Sequence, residues 1–280
     1  MSVCVKFASS HFNTFELVCY RGAIGTLIMA VACHRKGISL KTPFPKMHIW
    51  RSVVGVISLA AWFYAIAFLP LATAMTLNYM SGVWVAAFLV GSTIWAGSLR
   101  NARHQLPVAI TVCVGFVGVV MILRPTFEQN QMLAGLIGLS SGMIAAMAYL
   151  QVAALGRKGE PVERTVFYFS LGAALAGAFS MLFTGTSEWV WPHAWLLLPI
   201  GILAALGQWC MTRAYNDGAT MVVANLQYSG IVFSALFGLF LFGDEIPFVG
   251  WAGICVIVLS AIAATVLRAR SEAALPVKDH

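Results

Sequence analysis

The sequence predicts an all-α membrane protein, and three of its features lead to that fold class. Hydrophobic residues make up 60% of the 280 residues and charged residues only 10%, with a mean hydropathy of +0.85. A soluble domain carries about 25% charged residues. The apolar residues form successive runs of about 20 residues, the length of a helix that crosses a bilayer. Acidic residues fall almost entirely between these runs. We therefore expect lipid, rather than water, to surround most of the chain.

Charged residues, Pro or Gly end each apolar run, and these breaks divide the chain into ten segments. The predicted segments are residues 1–9, 12–33, 47–69, 72–96, 106–123, 132–155, 165–183, 194–215, 220–242 and 247–267. Together they predict one compact bundle of ten transmembrane helices. The first is expected to lack its N-terminal half, because a spanning helix needs about 20 residues.

Basic residues predict the orientation of the bundle. The gaps after the second, fourth, sixth and eighth segments, with the C-terminal tail, hold fourteen of the seventeen Lys and Arg residues: Arg35, Lys36, Lys41, Lys46, Arg51, Arg100, Arg103, Arg157, Lys158, Arg164, Arg213, Arg268, Arg270 and Lys278. Short loops rich in Lys and Arg stay in the cytoplasm. We expect a multi-pass protein of a bacterial-type inner membrane with a cytoplasmic C-terminus.

An internal repeat divides the chain into two halves. Five residues recur 147 positions later: Ala67, Ala72, Thr73, Asn78 and Gly91 become Ala214, Ala219, Thr220, Asn225 and Gly238. Each half would contain five spans, an odd number, so that the halves would insert in opposite orientations. Inverted repeats of this kind are typical of secondary transporters, whose sites lie near the bilayer midplane. We predict repeats over residues 1–125 and 131–270, and a polar tail over residues 271–280.

Other function classes find no support in the sequence. The net charge of +7 comes from short loops beside apolar segments, so we predict no nucleic-acid partner. The sequence contains no H-E-x-x-H or Walker motif and no paired carboxylates inside a segment, and we predict neither an enzyme nor a cofactor. The six cysteines are spread over five segments with no C-x-x-C pair, a pattern that favours buried apolar residues over a metal site or a disulfide framework. All six histidines lie at segment ends, in loops or in the tail, where we expect them at the interface.

Polar residues deep within apolar segments indicate a substrate site, because burying them unpaired is unfavourable. The candidate cavity residues are Trp62, Tyr64, Asn78, Tyr79, Gly82, Tyr149, Gln151, Gln208, Trp209, Asn225, Gln227, Tyr228 and Ser229. Amide and hydroxyl groups can hold an ammonium or a carboxylate, while aromatic rings receive a side chain. The alternative is that Asn78 and Asn225 are interhelical hydrogen-bonding residues worth roughly 0.6 kcal/mol each, and that the rings serve packing alone.

Two cations, Lys6 and Arg21, are predicted to be the only ones embedded in the membrane. They either face a cavity and attract carboxylates or reach the outer interface. We favour the outer interface for Lys6 and the cavity for Arg21. Acidic residues lie at or near segment ends and in the tail. Because proton-coupled pumps relay through intramembrane carboxylates or histidines, we predict a facilitator.

Three loose motifs give the chain a family resemblance. They are the spacing of Lys6 and Arg21 across the first two helices, the run Ala-Phe-Leu-Pro-Leu-Ala-Thr-Ala at residues 67–74, and Phe-Gly-Asp-Glu at residues 242–245. Over its whole length the chain resembles the EamA type of the drug/metabolite transporter superfamily, and its aromatic content most resembles the YddG-like bacterial amino-acid exporters. The resemblance implies a central cavity surrounded by helices one, three, four, six, eight and nine. Two departures are the absence of an acidic turn residue at 97–100 and Gly82, where many relatives have Pro.

These observations predict an inner-membrane transporter that exports amino acids, aromatic or other neutral ones, by alternating access. Its partners would be a small-molecule substrate and the lipid bilayer, and the oligomeric state is left open, a monomer included. One alternative is a transporter of another metabolite or drug, such as a vitamin or nucleoside derivative, with or without proton coupling. A different class is a non-transporting structural subunit, which would not need polar residues matched across a repeat.

Overall fold

A computed structural model of the chain consists of helices and short links. It describes residues 1–95, 110–111, 113–115, 117–118, 121, 131–187, 194–216 and 229–273. The helices are α1 (Ser2–Ala8), α2 (Thr14–Arg35), α3 (Pro45–Phe68), α4 (Leu71–Tyr79), α5 (Ser81–Trp95), α6 (Met132–Arg157), α7 (Val162–Thr184), α8 (Leu197–Asn216), α9 (Ser229–Phe237), which continues as a π-helical turn (Gly238–Phe242), and α10 (Phe248–Ala273). The described residues between 110 and 121 are also helical. The all-α prediction is confirmed.

The helices are suited to a membrane by length and by surface. Among the described residues, five helices are long and apolar enough to cross a bilayer, namely α2, α3, α6, α7 and α8 up to Ala214. Large apolar side chains lie exposed on them, including Leu27, Leu133 and Phe183. Exposed apolar surface on this scale is unfavourable in water and favourable in lipid. The protein is therefore an all-α, multi-pass membrane protein.

The link before α2 is fixed by a reciprocal cap. The Asn13 side chain accepts hydrogen bonds from the backbone N–H groups of Phe15 and Glu16, each at 2.9 Å, and Glu16 accepts from the Asn13 N–H at 2.7 Å. These bonds satisfy backbone donors that the first helical turn leaves without partners. Glu16 also accepts hydrogen bonds from the backbone and hydroxyl of Ser187. The cap therefore ties the start of α2 to the link that follows α7.

The start of α3 lies two residues before the predicted boundary. Pro45 occupies the first turn, where its missing N–H is no disadvantage and its fixed φ suits a helix. Arg51 therefore lies six residues inside α3, or about 9 Å along the axis from its first residue. The sequence prediction placed this arginine with the loop residues, and that placement is wrong.

The fourth predicted segment contains two helices rather than one. α4 ends at Tyr79 and α5 begins at Ser81, with Met80 between them. A serine–glycine pair, Ser81 and Gly82, follows the break, and such pairs are common causes of helix kinks. The interruption therefore occurs just before Gly82, without the proline that the family resemblance led us to expect at that position. At the C-terminus, α10 continues to Ala273, so the first three residues of the predicted polar tail are helical.

Glycines bring the central helices close together. A side chain at Gly22 would overlap the α7 backbone, with its Cβ 2.8 Å from the Ser170 carbonyl oxygen, and Gly177 approaches Cys19 of α2 equally closely. Gly142 of α6 lies against the Leu77 carbonyl of α4 in the same way. α2 thus packs along α7, and α3 and α4 pack along α6, while α8 contacts α2, α6 and α7. Between these pairs lies the space that forms the candidate site.

Candidate functional site

A cavity lies among α1, α2, α3, α4, α6, α7 and α8. Its volume is about 510 Å³, within the range of small-molecule sites. The polar and aromatic side chains that line it are Arg21, Arg51, Ser58, Trp62, Asn78, Tyr79, Tyr149, Phe169 and Gln208. Most other lining residues are small or aliphatic, such as Ala145 and Ala204. The cavity is thus mostly apolar with a few convergent polar groups, as ligand sites usually are.

Two arginines dominate the cavity. Arg21 of α2 and Arg51 of α3 are each only 3% exposed. Their guanidinium carbons lie 5.3 Å and 4.2 Å from the centre of the Phe169 ring. The two guanidinium groups are therefore within about 10 Å of each other, and both interact with one aromatic ring of α7. Nε and Nη1 of each arginine are buried and have no hydrogen-bond partner among the described residues.

Gly55 makes room for the Arg51 guanidinium. It lies four residues after Arg51, on the same face of α3. A Cβ atom at Gly55 would overlap Arg51 Nη1 and come within 2.8 Å of Phe169 Cε2. The missing side chain lets the guanidinium lie back along its own helix against the ring.

The site has a positive potential that none of its described lining residues neutralises. No Asp or Glu is among the described lining residues. At an effective dielectric constant of about 20, two unit charges about 10 Å apart repel each other by about 2 kcal/mol. Each buried cation also lacks the anion that normally compensates for lost hydration. An anionic ligand would supply both the charge and the missing hydrogen-bond acceptors.

Two further polar groups in the cavity have unused hydrogen-bonding capacity. Trp62 Nε1 and Gln208 Oε1 are buried and have no partner within the described part of the chain. The cavity therefore offers an indole donor and an amide acceptor beside the two guanidiniums. Asn78 differs, because its Nδ2 donates to Ser141 Oγ at 3.0 Å. Asn78 thus joins α4 to α6 by a hydrogen bond and also lines the cavity.

The structure brings together six of the predicted site residues: Arg21, Trp62, Asn78, Tyr79, Tyr149 and Gln208. Gly82 and Gln151 are not among the described lining residues. Tyr64 faces a separate hollow and packs on Phe68, with ring centres 4.6 Å apart. Trp209 donates a hydrogen bond to Glu163 at 3.0 Å instead. Ser229 begins α9, and the predicted residues Asn225, Gln227 and Tyr228 lie outside the described residues.

Three cavity residues were missed by sequence reasoning. Arg51 was counted with the loop charges, Phe169 is one of eighteen phenylalanines, and Ser58 is a single hydroxyl among apolar residues. The prediction that Lys6 and Arg21 are the only embedded cations is wrong, because Arg51 is embedded too. Pro45 was the available signal, since a proline that starts a helix places Arg51 well inside it. Of the helices that the family resemblance implied, one, three, four, six and eight line the cavity, whereas no described residue of α9 does. Helices α2 and α7 line it as well.

Lys6 is not among the described lining residues of the cavity and instead joins three elements at one end of the bundle. Its Nζ donates to both carboxylate oxygens of Asp244 at 2.7 Å and to the Leu69 carbonyl at 3.3 Å. The same carboxylate accepts the backbone N–H of Leu71, the first residue of α4, at 2.8 Å. We call these four residues the Asp244 link. It joins α1, the start of α4 and the turn between α9 and α10.

A second polar cluster lies at the opposite end of the bundle and joins the starts of α3 and α7. Glu160, in the link before α7, bonds to His48 Nε2 at 2.9 Å and accepts from Arg164 Nη1 at 3.2 Å. Burial raises the pKa of Glu160, but hydrogen bonds from His48, Thr42 and Arg164 outweigh it, so the pKa lies below its ordinary value. His48 is 2% exposed. Its ring is therefore buried between protein segments near the start of α3.

Comparison with known proteins agrees with this architecture. Residues 132–266 match the EamA-like transporter family. The chain is 34% identical over 253 residues to the pseudopaline exporter CntI of Pseudomonas aeruginosa strain UCBPP-PA14, covering 88% of this chain and 84% of that protein. It is 27% identical over 268 residues to a riboflavin transporter of Vibrio cholerae, covering 91% and 84% respectively.

A solved crystal structure has a similar fold. It is 20% identical in sequence, superposes with a TM-score of 0.63 and covers 96% of this chain and 94% of its own. At this level of identity the similarity concerns the fold alone. The family match and the relative with 34% identity, by contrast, show the protein family as well as the fold. The chain therefore belongs to the EamA-like transporters of the drug/metabolite transporter superfamily, and its activity is the transport of a small molecule across a membrane.

Proposed function

We propose that this transporter exports a small organic metabolite that carries a carboxylate group. The observation that carries the proposal is the pair of arginines, Arg21 and Arg51, which have no anionic partner among the described residues and lie in a cavity of ligand size. A guanidinium matches a carboxylate in shape and charge and binds it through two parallel hydrogen bonds. The relative with 34% identity is named as an exporter, and we therefore favour export as the direction of transport.

Amino acids remain the narrower form of this proposal. Every amino acid has a carboxylate for one guanidinium, and Trp62, Tyr79 and Tyr149 offer rings to a side chain. The amino group would meet only neutral acceptors, such as Gln208 Oε1. The resemblance to a riboflavin transporter makes a vitamin the appropriate comparison compound.

The transport cycle would use alternating access between two inverted halves. The helix contacts support this arrangement. When α1, α2 and α3 are exchanged with α6, α7 and α8, respectively, pairs of helices in contact correspond to other pairs in contact. The contact of α2 with α8 is matched by that of α7 with α3, and the contact of α3 with α6 is matched by that of α8 with α1. Such pseudo-symmetry allows one half to rock against the other around a central site.

The distribution of basic residues supports a proposed orientation of the two ends in an inner membrane. The cluster around Glu160 lies near Lys36, Arg157 and Lys158 and would face the cytoplasm. The Asp244 link would then close the outer side. The cavity lining extends along α8 from Leu203 to Ala214, toward the end that would be cytoplasmic. Such an extension suits an exporter, because an exporter takes up its substrate from the cytoplasm.

We propose further that transport is facilitative. The described lining of the cavity contains no Asp, Glu or His that could relay a proton. The substrate would therefore move down its own gradient. Collapse of a pH gradient should leave the initial rate of transport unchanged.

Efflux from liposomes tests the proposal. Purified full-length protein is reconstituted into liposomes loaded with radiolabelled succinate, glutamate, phenylalanine or riboflavin, with no pH gradient. We expect efflux of at least one carboxylate and its loss in Arg51→Gln, but not in Arg35→Gln, which removes an exposed arginine at the end of α2. Efflux of none of the carboxylates, or an unchanged rate in Arg51→Gln, would contradict the proposal. Efflux that requires a pH gradient would contradict the facilitative mechanism alone.

A further inference from the structure

We infer that the substrate carries two carboxylates, one for Arg21 and one for Arg51. This inference rests on the proposed function and names its substrate class. It rules out the neutral, aromatic amino acids favoured by the sequence as the preferred substrates. The arginines belong to different helices, α2 and α3, and no described residue hydrogen-bonds to Nε or Nη1 of either.

The charge balance of the cavity supports two anions rather than one. A zwitterion with one carboxylate would neutralise one guanidinium and leave the other buried and unpaired. Its ammonium group would also enter a cavity that already holds two positive charges and, in its described lining, no acid. A substrate with two carboxylates neutralises both arginines and adds no uncompensated positive charge.

The geometry supports two separate carboxylates. Both guanidinium carbons contact the Phe169 ring, at 5.3 Å and 4.2 Å from its centre. Because each guanidinium is itself a planar set of donors, each can hold its own carboxylate. Trp62 Nε1 offers a further donor, and Gln208 Oε1 can accept an N–H group of a substrate that also carries an amine. The cavity volume of about 510 Å³ accommodates such a molecule.

Matched pairs of diacids and monoamides test the inference without changing the protein. The unfolding temperature of the purified full-length protein is measured with straight-chain diacids from succinate to suberate, and with the monoamide of each. The series varies the distance between carboxylates, while each monoamide keeps the size and removes one charge. We expect at least one diacid to stabilise the protein at roughly tenfold lower concentration than its monoamide does. The difference corresponds to one charge-assisted contact that the monoamide cannot make.

Variants assign the two carboxylates to the two arginines. Arg21→Gln and Arg51→Gln should each abolish the difference between diacid and monoamide, while the exposed control Arg35→Gln should keep it. Three outcomes would overturn the inference: monoamides that bind as well as diacids, no stabilisation by any diacid at millimolar concentration, or stabilisation by glycerol 3-phosphate at lower concentration than every diacid. Rapid efflux of phenylalanine with none of succinate or glutamate would leave the proposed export intact and contradict only this inference.

Discussion

Gly55 illustrates how one residue without a side chain can determine the position of a charged group. The Arg51 guanidinium lies where a Cβ atom of residue 55 would be, and the Phe169 ring closes the same space from α7. The arginine is therefore held against the ring by the shape of its own helix. A cation over an aromatic face gains roughly 2 kcal/mol when both are desolvated, which partly offsets its lost hydration.

Gly55→Ala should displace the Arg51 guanidinium from Phe169 and weaken substrate binding several-fold. The cause is steric, because the added methyl group overlaps Nη1 and approaches the ring within 2.8 Å. The measurement is the concentration at which the best diacid stabilises the purified protein. Gly91→Ala is the matched control, since a Cβ there meets no atom within 4 Å. Equal effects of the two substitutions would contradict this role for Gly55.

Arg51→Met should raise the unfolding temperature of the ligand-free protein. Methionine keeps the length of the side chain but removes a buried charge without an anionic partner, and replacing such charges by apolar residues is often stabilising by about 1–4 kcal/mol. Thermal unfolding in detergent checks the expectation. Arg35→Met, at an exposed position, should change little. A fall in the unfolding temperature of Arg51→Met alone would mean that contact with Phe169 outweighs the cost of burial.

At the residue scale, the sequence could predict those site residues that stand out chemically from their surroundings. Asn78 and Gln208 are polar residues within apolar runs, and unpaired polar groups are unfavourable in lipid. Tyr64 and Trp209 have the same sequence signature, yet they turn to Phe68 and Glu163 instead. The face of a helix that meets the cavity depends on its rotation, which packing determines and single-residue chemistry does not.

At the scale of elements, the Asp244 link joins three parts of the chain that are far apart in sequence. Asp244 pairs with Lys6 and also caps the first turn of α4 through the Leu71 N–H. The π-helical turn at the end of α9 precedes it, and Gly238 in that turn leaves room for its carboxylate. One side chain thus holds α1, α4 and the turn before α10 together.

Asp244→Asn should open this end of the bundle. The substitution removes the negative charge that holds Lys6 and weakens a hydrogen bond to the α4 backbone, and hydrogen bonds to charged groups contribute about 1.5–3 kcal/mol. The measurement is labelling of Cys210, which lines the cavity, by a membrane-impermeant maleimide added from the Asp244 side in a variant without other cysteines. Faster labelling is expected. Glu245→Gln, at the exposed neighbouring position, should leave the rate unchanged, and equal rates in both variants would exclude a closing role for Asp244.

Glu160 should make stability depend on pH in the acidic range. Its folded pKa lies below the ordinary value of 4.5, so its contribution is complete above the pKa of the unfolded chain and is lost as the pH falls through the folded pKa. Wild-type protein should therefore lose stability on acidification below about pH 4.5, and Glu160→Gln should lose less. Unfolding temperature as a function of pH checks this. The same pH dependence in Glu160→Gln as in the wild type would assign the effect to other carboxylates.

At the scale of the whole molecule, the two sequence halves meet along α2 and α7. The glycines at this contact bring the backbones so close that a Cβ at Gly22 would lie 2.8 Å from the Ser170 carbonyl oxygen. The fold class and the order of helices could be predicted because apolar runs and charged breaks reflect the bilayer directly. The break at Met80 and the α2–α7 contact could not, since both arise from packing between distant segments.

Gly22→Ala should destabilise the protein by about 1–3 kcal/mol, because the new methyl group can be accommodated only by separating two helix backbones. Gly207→Ala provides the control, since a Cβ there meets nothing within 4 Å. Thermal unfolding of both variants gives the comparison. A neutral effect of Gly22→Ala would mean that the two halves separate readily along this contact.

The sharing of Phe169 has a mechanical consequence. The ring belongs to the second half of the chain and both guanidiniums belong to the first, so any sliding of one half past the other changes how far the cations are shielded. In the proposed alternating-access cycle, the affinity for an anion would thereby depend on the relative position of the halves. The substrate would be bound in one conformation and released in the next, because the Phe169 ring would shield the two arginines to a different extent in each.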